Sequence, residues 1–121
     1  MHSQSKPPLG EFDIIQRFFK TGADSMSKNH SQTVTLGIGD DCALIKPGVD
    51  EELAITSDML VEGRHFLSTV NPAHLGHKAL AVNLSDLAAC GAEPKAFLLS
   101  LALPEVQPQW LAEFSKGLWT L

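Results

Sequence analysis

ALAVNLSDLAACGAEPKAFLLSLALP, residues 79–104, carries the two hydrophobic periodicities that decide the fold. Its first half sets Leu80, Leu84 and Leu87 at helical spacing, an apolar stripe on one face. Just upstream, Asn71 and Pro72 suit the N-cap and first helical positions, and Gly91 suits a C-terminal stop. A helix is therefore predicted from Asn71 to Ala89. The second half, AFLLSLALP at 96–104, is a near-continuous apolar run ended by Pro104. That pattern predicts a strand buried on both faces.

Outward from this core, GEFDIIQRFFK at 10–20 places Phe12, Ile15, Phe18 and Phe19 on one face of a short amphipathic helix. VTLGI at 34–38 and CALI at 42–45 are short apolar runs flanking the turn-prone Gly39-Asp40-Asp41, and ELAITSDML at 52–60 alternates as a further strand. At the far end, Trp110, Leu111, Phe114, Leu118 and Leu121 recur at helical spacing. Pro7 and Pro8 oppose regular structure in residues 1–9, which read as a flexible lead-in. Residues 21–33 read as a mobile loop with His30 solvated. The order helix, strands, helix, strand, helix predicts an α+β architecture, with no internal repeat.

Composition narrows the function. The 121 residues suffice for one domain with its own core but are short for a two-domain enzyme. Nine basic against fourteen acidic residues give a net charge of −5, and no Lys/Arg cluster forms, so phosphate-backbone binding and a nucleic-acid partner are not expected. No run approaches the roughly 20 apolar residues that span a bilayer, so no membrane partner is expected. MHSQSKPPLG has no apolar core of a signal peptide, and a reducing cytoplasm is the expected setting. Cys42 and Cys90 lie far apart in apolar stretches and are expected to be small core residues. Without a CxxC pair, zinc is not indicated. The last helical pattern reaches Leu121 with no stop signal, so a truncated product is expected.

Three aspartates, Asp41, Asp58 and Asp86, lie in separate motifs wrapped in small or apolar residues. A carboxylate in such surroundings is costly to bury without a cation or a hydrogen-bond network. Three together point to one site for a hard cation such as Mg²⁺. In GIGDD, Gly37 and Gly39 permit a tight turn and close backbone approach, although a plain hairpin turn reads equally well. Thr56-Ser57-Asp58 offers two hydroxyls and a carboxylate, or else a polar cap at a strand end. Asn83 and Asp86 are i,i+3 neighbours beside the leucine stripe, and the bland alternative is hydrogen bonding to nearby backbone. Lys78 falls on a different face from Asp86 and is not paired with it. His74 and His77, with no third ligand nearby, read as helix surface. Arg64 could hold a phosphate but reads as well as a solvated residue.

Taken together and in order, GEFDIIQRFF, LGIGDDCALI, ITSDMLVEGRHF and HKALAVNLSDLAACGAEPKAFLLSLALP resemble the N-terminal part of bacterial thiamine-monophosphate kinases. The resemblance covers roughly residues 10–121, broken by the 21–33 loop. Those kinases share a superfamily with aminoimidazole ribonucleotide synthetase and selenophosphate synthetase, which bind ATP through Asp-rich Mg²⁺ sites instead of a Walker-type loop. No GxxxxGK[ST] occurs here. The run from Ser57 to Phe66, S-D-x-L-V-E-G-x-H-F, favours the kinase over its relatives.

The resemblance implies an N-terminal domain of the aminoimidazole ribonucleotide synthetase-like fold, a mixed sheet packed against helices that dimerises through the sheet. It implies Mg²⁺ ligation by Asp41, Thr56, Ser57, Asp58 and Asp86, and contact of His65 with the thiamine phosphate substrate. The implied reaction moves the γ-phosphoryl of ATP to thiamine monophosphate, giving thiamine diphosphate and ADP. Beyond the metal ligands it assigns neither a catalytic residue nor an ATP contact here. On this reading residues 10–121 are an ATP/Mg²⁺-binding domain, and the isolated 121-residue chain is expected to be inactive. Two alternatives stand beside it: another ATP-dependent synthetase of the superfamily, and a non-catalytic dimerisation module.

Overall fold

The structure is a computed structural model describing residues 9–23 and 33–121. Helix α1 spans Glu11–Ile14 and runs directly into a π-helical segment, Ile15–Lys20. Asp13 fixes the entry: its carboxylate accepts the Gly10 N–H at 3.2 Å while meeting the positive end of the helix. The amphipathic helix predicted here forms, but with a different face. Phe18 and Phe19 are buried, Ile15 is half-buried and Phe12 is 83% exposed. A π turn closes i→i+5 bonds, so it shifts the phase of a wheel drawn at α-helical period. Of the loop predicted over 21–33, residues 21–23 are helical, and 24–32, His30 among them, lie outside the described residues, as does most of the 1–9 lead-in.

Strands β1 (Val34–Leu36) and β2 (Leu44–Ile45) form the predicted hairpin, antiparallel, with Val34 opposite Ile45, Leu36 opposite Leu44 and an irregular step between. Gly39 turns the connection at φ 110°, which a side chain would resist.

Helix α2 (Pro72–Ala89) starts and stops where predicted. The Asn71 side-chain oxygen accepts from the N–H groups of Ala73 (2.9 Å) and His74 (3.4 Å), and Pro72 stands at the first helical position. At the other end, Gly91 (φ 70°) donates to the Ala88 carbonyl at 3.0 Å and Ala92 to that of Leu87 at 2.9 Å. These two bonds satisfy carbonyls that a helix end otherwise orphans. Helix α3 (Pro108–Trp119) follows.

The core is one cluster: Phe18 and Phe19 from the π segment, Leu75 from α2, and Leu111, Phe114 and Leu118 from α3. Leu60, Phe66, Val70 and Leu103 pack against it from the connecting segments. The two long helices meet with almost no side chain between them. A methyl group on Gly76 would strike the Phe114 carbonyl, and one on Gly117 the Ala73 carbonyl. At the end of α3 the Trp119 indole donates to the Phe18 carbonyl at 3.3 Å, tying the first helical segment to the last.

Several expectations need correction. Residues 52–60 and 96–104 carry no strand among the described residues, so the sheet is an antiparallel pair, not the mixed sheet expected. Nor is 96–104 buried: Leu98 is 88% exposed. A hydrophobic pattern states a demand for burial, whereas a strand also needs a neighbour to complete its ladder. Leu121, expected on the buried face of the last helix, lies beyond it and is exposed. Both cysteines are exposed: Cys42 follows the hairpin loop's aspartates, and Cys90 caps α2 just past its buried face. The α+β class stands at the level of helices together with a small antiparallel sheet.

Candidate functional site

The residues singled out in Thr56–Phe66 lie along a strap clamped to α2 at two points. At one end the Thr56 hydroxyl donates to the Asp86 carboxylate at 3.3 Å. At the other, the Lys78 ammonium donates to the His65 carbonyl at 2.8 Å. The strap thus runs antiparallel to the helix, with Ser57 and Asp58 next to the Thr56 clamp. Sequence spacing put Asp86 on the helix edge, and the structure supplies what spacing could not, its partner thirty residues upstream.

The Asp86 carboxylate, on the last turn of α2, is exposed, as are Asp58 and Asp41. Asp41 sits in the β1–β2 connection beyond Gly39, with Asp40 beside it. Among the described residues no three His, Cys, Asp or Glu side chains gather closely enough to hold a metal ion by themselves. The structure joins Thr56 to Asp86 and leaves Asp41 on a separate loop. The donor chemistry nonetheless suits Mg²⁺, since every candidate offers oxygen. Mg²⁺ commonly takes one or two carboxylates and fills its remaining positions with water and substrate phosphates, so a complete protein cage is not required.

His65 is held from within its own turn. The N–H groups of Arg64 and His65 donate to the Val61 carbonyl at 3.1 and 2.8 Å, and Gly63, at φ 81°, donates to that of Phe66 at 2.7 Å. The Val61 N–H in turn donates to His65 Nδ1 at 2.9 Å. A ring nitrogen that accepts a backbone proton carries none itself, so the neutral ring bears its proton on Nε2. The exposed ring therefore offers a fixed donor. An open cleft of about 230 Å³ runs along Gly63, Arg64, His65, Phe66 and Leu67.

Asn83 does not bond to Asp86. Its amide donates to the Ala79 carbonyl at 3.0 Å, the backbone alternative considered for it, and its buried Oδ1 has no partner among the described residues. A second open cleft of about 220 Å³ lies between α2 and α3, lined by His74, His77, Glu113, Lys116 and Thr120. It contains none of the predicted site residues, and His77 stands about 13 Å along the helix axis from Asp86. No described helix is long and apolar enough to cross a membrane.

Lys78 borders the candidate site, and the sequence reading gave it no partner. Its partner is a backbone carbonyl, which has no side-chain signature. The only available signal was a lysine on the second turn of a helix that follows a structured loop.

Residues 39–121 match the family described as AIR synthase related protein, N-terminal domain. Over 112 residues, 93% of this chain, the sequence is 49% identical to a thiamine-monophosphate kinase of Escherichia coli (strain K12), and it covers 33% of that protein. It is 47% identical over 110 residues to a protein of the same name from Haemophilus influenzae, covering 91% of this chain and 32% of the relative. The likeness extends to Methanocaldococcus jannaschii, at 38% identity over 112 residues, 91% of this chain and 34% of the relative. The chain spans about a third of the length of these curated relatives.

Proposed function

The chain belongs to the AIR synthase related protein family, as its N-terminal domain, and on that premise we propose that it is the Mg²⁺–nucleotide domain of a thiamine-monophosphate kinase. The protein carrying it moves the γ-phosphoryl of ATP to thiamine monophosphate, yielding thiamine diphosphate and ADP. The Thr56–Asp86 hydrogen bond carries this reading, because it sets a hydroxyl and a carboxylate from two separate motifs side by side. Names and identities of the relatives support the choice of substrate.

In this reading Asp41, Thr56, Ser57, Asp58 and Asp86 hold Mg²⁺. When bound, Mg²⁺ neutralises phosphate charge and aligns the two polyanions. The chain's own residues then have positional tasks. Thr56 holds the Asp86 carboxylate in place, and His65 presents Nε2–H to an acceptor atom of thiamine monophosphate. The attacking oxygen belongs to a phosphate whose second pKa is near 6, so it is largely ionised at neutral pH and needs little help from a general base. The absence of an assigned general base is consistent with that chemistry. An ATP-consuming reaction of this kind suits the cytoplasm.

The test is direct. Full-length protein supplied with ATP, Mg²⁺ and thiamine monophosphate is expected to release thiamine diphosphate. Failure to form it, with a related ATP-dependent synthetase reaction detected instead, would overturn the substrate assignment. A non-catalytic dimerisation role is separated by calorimetry on the 121-residue chain: Mg²⁺-dependent ATP binding excludes it.

A further inference from the structure

Lys78 is an exposed lysine whose ammonium is committed to one backbone oxygen, the carbonyl of His65. The remaining bonds of the Val61–Phe66 turn stay within the turn. Among the described residues its non-covalent links to the rest of the fold are therefore Lys78 and the packing of Phe66 on the core. Phe66 anchors the turn but, being apolar, leaves its rotation about the contact weakly specified. A charged donor on a carbonyl is directional and stronger than a neutral one.

We infer that Lys78 is a positioning residue for His65, fixing both the turn and the ring's Nε2–H donor against α2. Asp86 lies eight residues further along the same helix, about 12 Å in axial rise. Its bond to Thr56 clamps the other end of the strap. The two clamps hold the substrate-contacting and cation-binding ends of the strap in register on one rigid element. The inference deepens the reading of His65 as a substrate contact and rests on it for its kinetic consequence, though not for its structural one.

Two substitutions test it. Lys78→Met keeps the aliphatic stem and removes the donor, whereas Lys78→Arg keeps a donor. Imidazole ¹H–¹⁵N spectra of the 121-residue chain are expected to show the Nε2–H form at His65, with Nδ1 as acceptor. That tautomer is set inside the turn by the Val61 N–H, so the loss of Lys78 is read in the position of the turn: Lys78→Met shifts the backbone amide resonances of Val61–Phe66, and Lys78→Arg restores them. In the full-length enzyme, Lys78→Met raises the KM for thiamine monophosphate about threefold to tenfold, the scale of weakening one ordinary hydrogen bond from a displaced His65. The KM for ATP stays within twofold of wild type, and Lys78→Arg recovers most of the loss.

Unchanged Val61–Phe66 amide resonances in Lys78→Met sink the positioning role, whatever the enzyme's substrate. A displaced turn, with the KM for thiamine monophosphate unmoved in both Lys78→Met and His65→Asn, leaves positioning intact and refutes the substrate contact.

Discussion

At the scale of single residues, the clearest feature is an exposed carboxylate held by a hydroxyl from a distant motif, Asp86 and Thr56. Its function separates from its structural worth by charge. Asp86→Asn preserves shape and an oxygen that can still accept from Thr56, so stability should change by no more than about 0.5 kcal/mol. Losing the charge should weaken Mg²⁺-dependent nucleotide affinity about tenfold or more, because ligand charge tunes binding of hard cations. Calorimetry with Mg²⁺–ATP, paired with a thermal melt, reads both quantities. Unchanged affinity with a large loss of stability would mean that Asp86 is a structural helix residue. Residue types marked Thr56, Asp58 and Asp86 as candidates in the sequence, since carboxylates and hydroxyls advertise their chemistry, and the family resemblance added His65. Lys78 did not, because its meaning depends on a carbonyl thirteen residues away. The cysteines misled for a related reason: apolar neighbours in sequence do not bury a residue that lies on the open side of a loop or just past a helix.

Among the elements, α2 and α3 are held at a crossing where both helices present glycine. In an exposed helix interior, glycine to alanine stabilises by about 0.8–1 kcal/mol, since alanine is the better helix former. Here the sign should invert. The methyl of Gly117→Ala meets the Ala73 carbonyl, a backbone atom that cannot rotate away, and Gly76→Ala meets that of Phe114 in the same manner. Each substitution should cost about 1–3 kcal/mol, as overpacking does, read as a lower denaturant midpoint. A stabilised Gly117→Ala would show that the helices stand further apart. Both ends of α2 were readable beforehand because caps are local chemistry: an Asn-Pro pair to open it and a Gly to close it. The face of the first helix was not, because a π turn changes the period without leaving a mark on composition.

For the whole molecule, the two segments whose hydrophobic patterns predicted strands, 52–60 and 96–104, leave most of their apolar side chains exposed. Leu98 is 88% exposed, Ile55 86% and Met59 78%. Monomeric proteins rarely leave so much large apolar side chain exposed, and a segment without a ladder partner is a template for pairing. The pattern was legible; its satisfaction was not, since a partner's surface is not written in the chain's local periodicity. The occupant we propose is a second copy. Symmetric pairing lets the same two segments serve both sides of an isologous interface, the commonest arrangement in soluble oligomers. Phe97 rests on Trp119, ring centroids 5.6 Å apart, and Leu103 packs on the core, so 96–104 is already held against α3 and offers a preordered edge. Light scattering on the 121-residue chain at tens of micromolar should therefore give twice the monomer mass. Leu98→Lys places a charge at the most exposed position of that edge, where it disturbs little within one copy but must be desolvated between two. It should shift the population to monomer while leaving the helical circular dichroism unchanged. A wild-type chain that stays monomeric at that concentration refutes pairing of copies and assigns the apolar edge to another part of a longer protein.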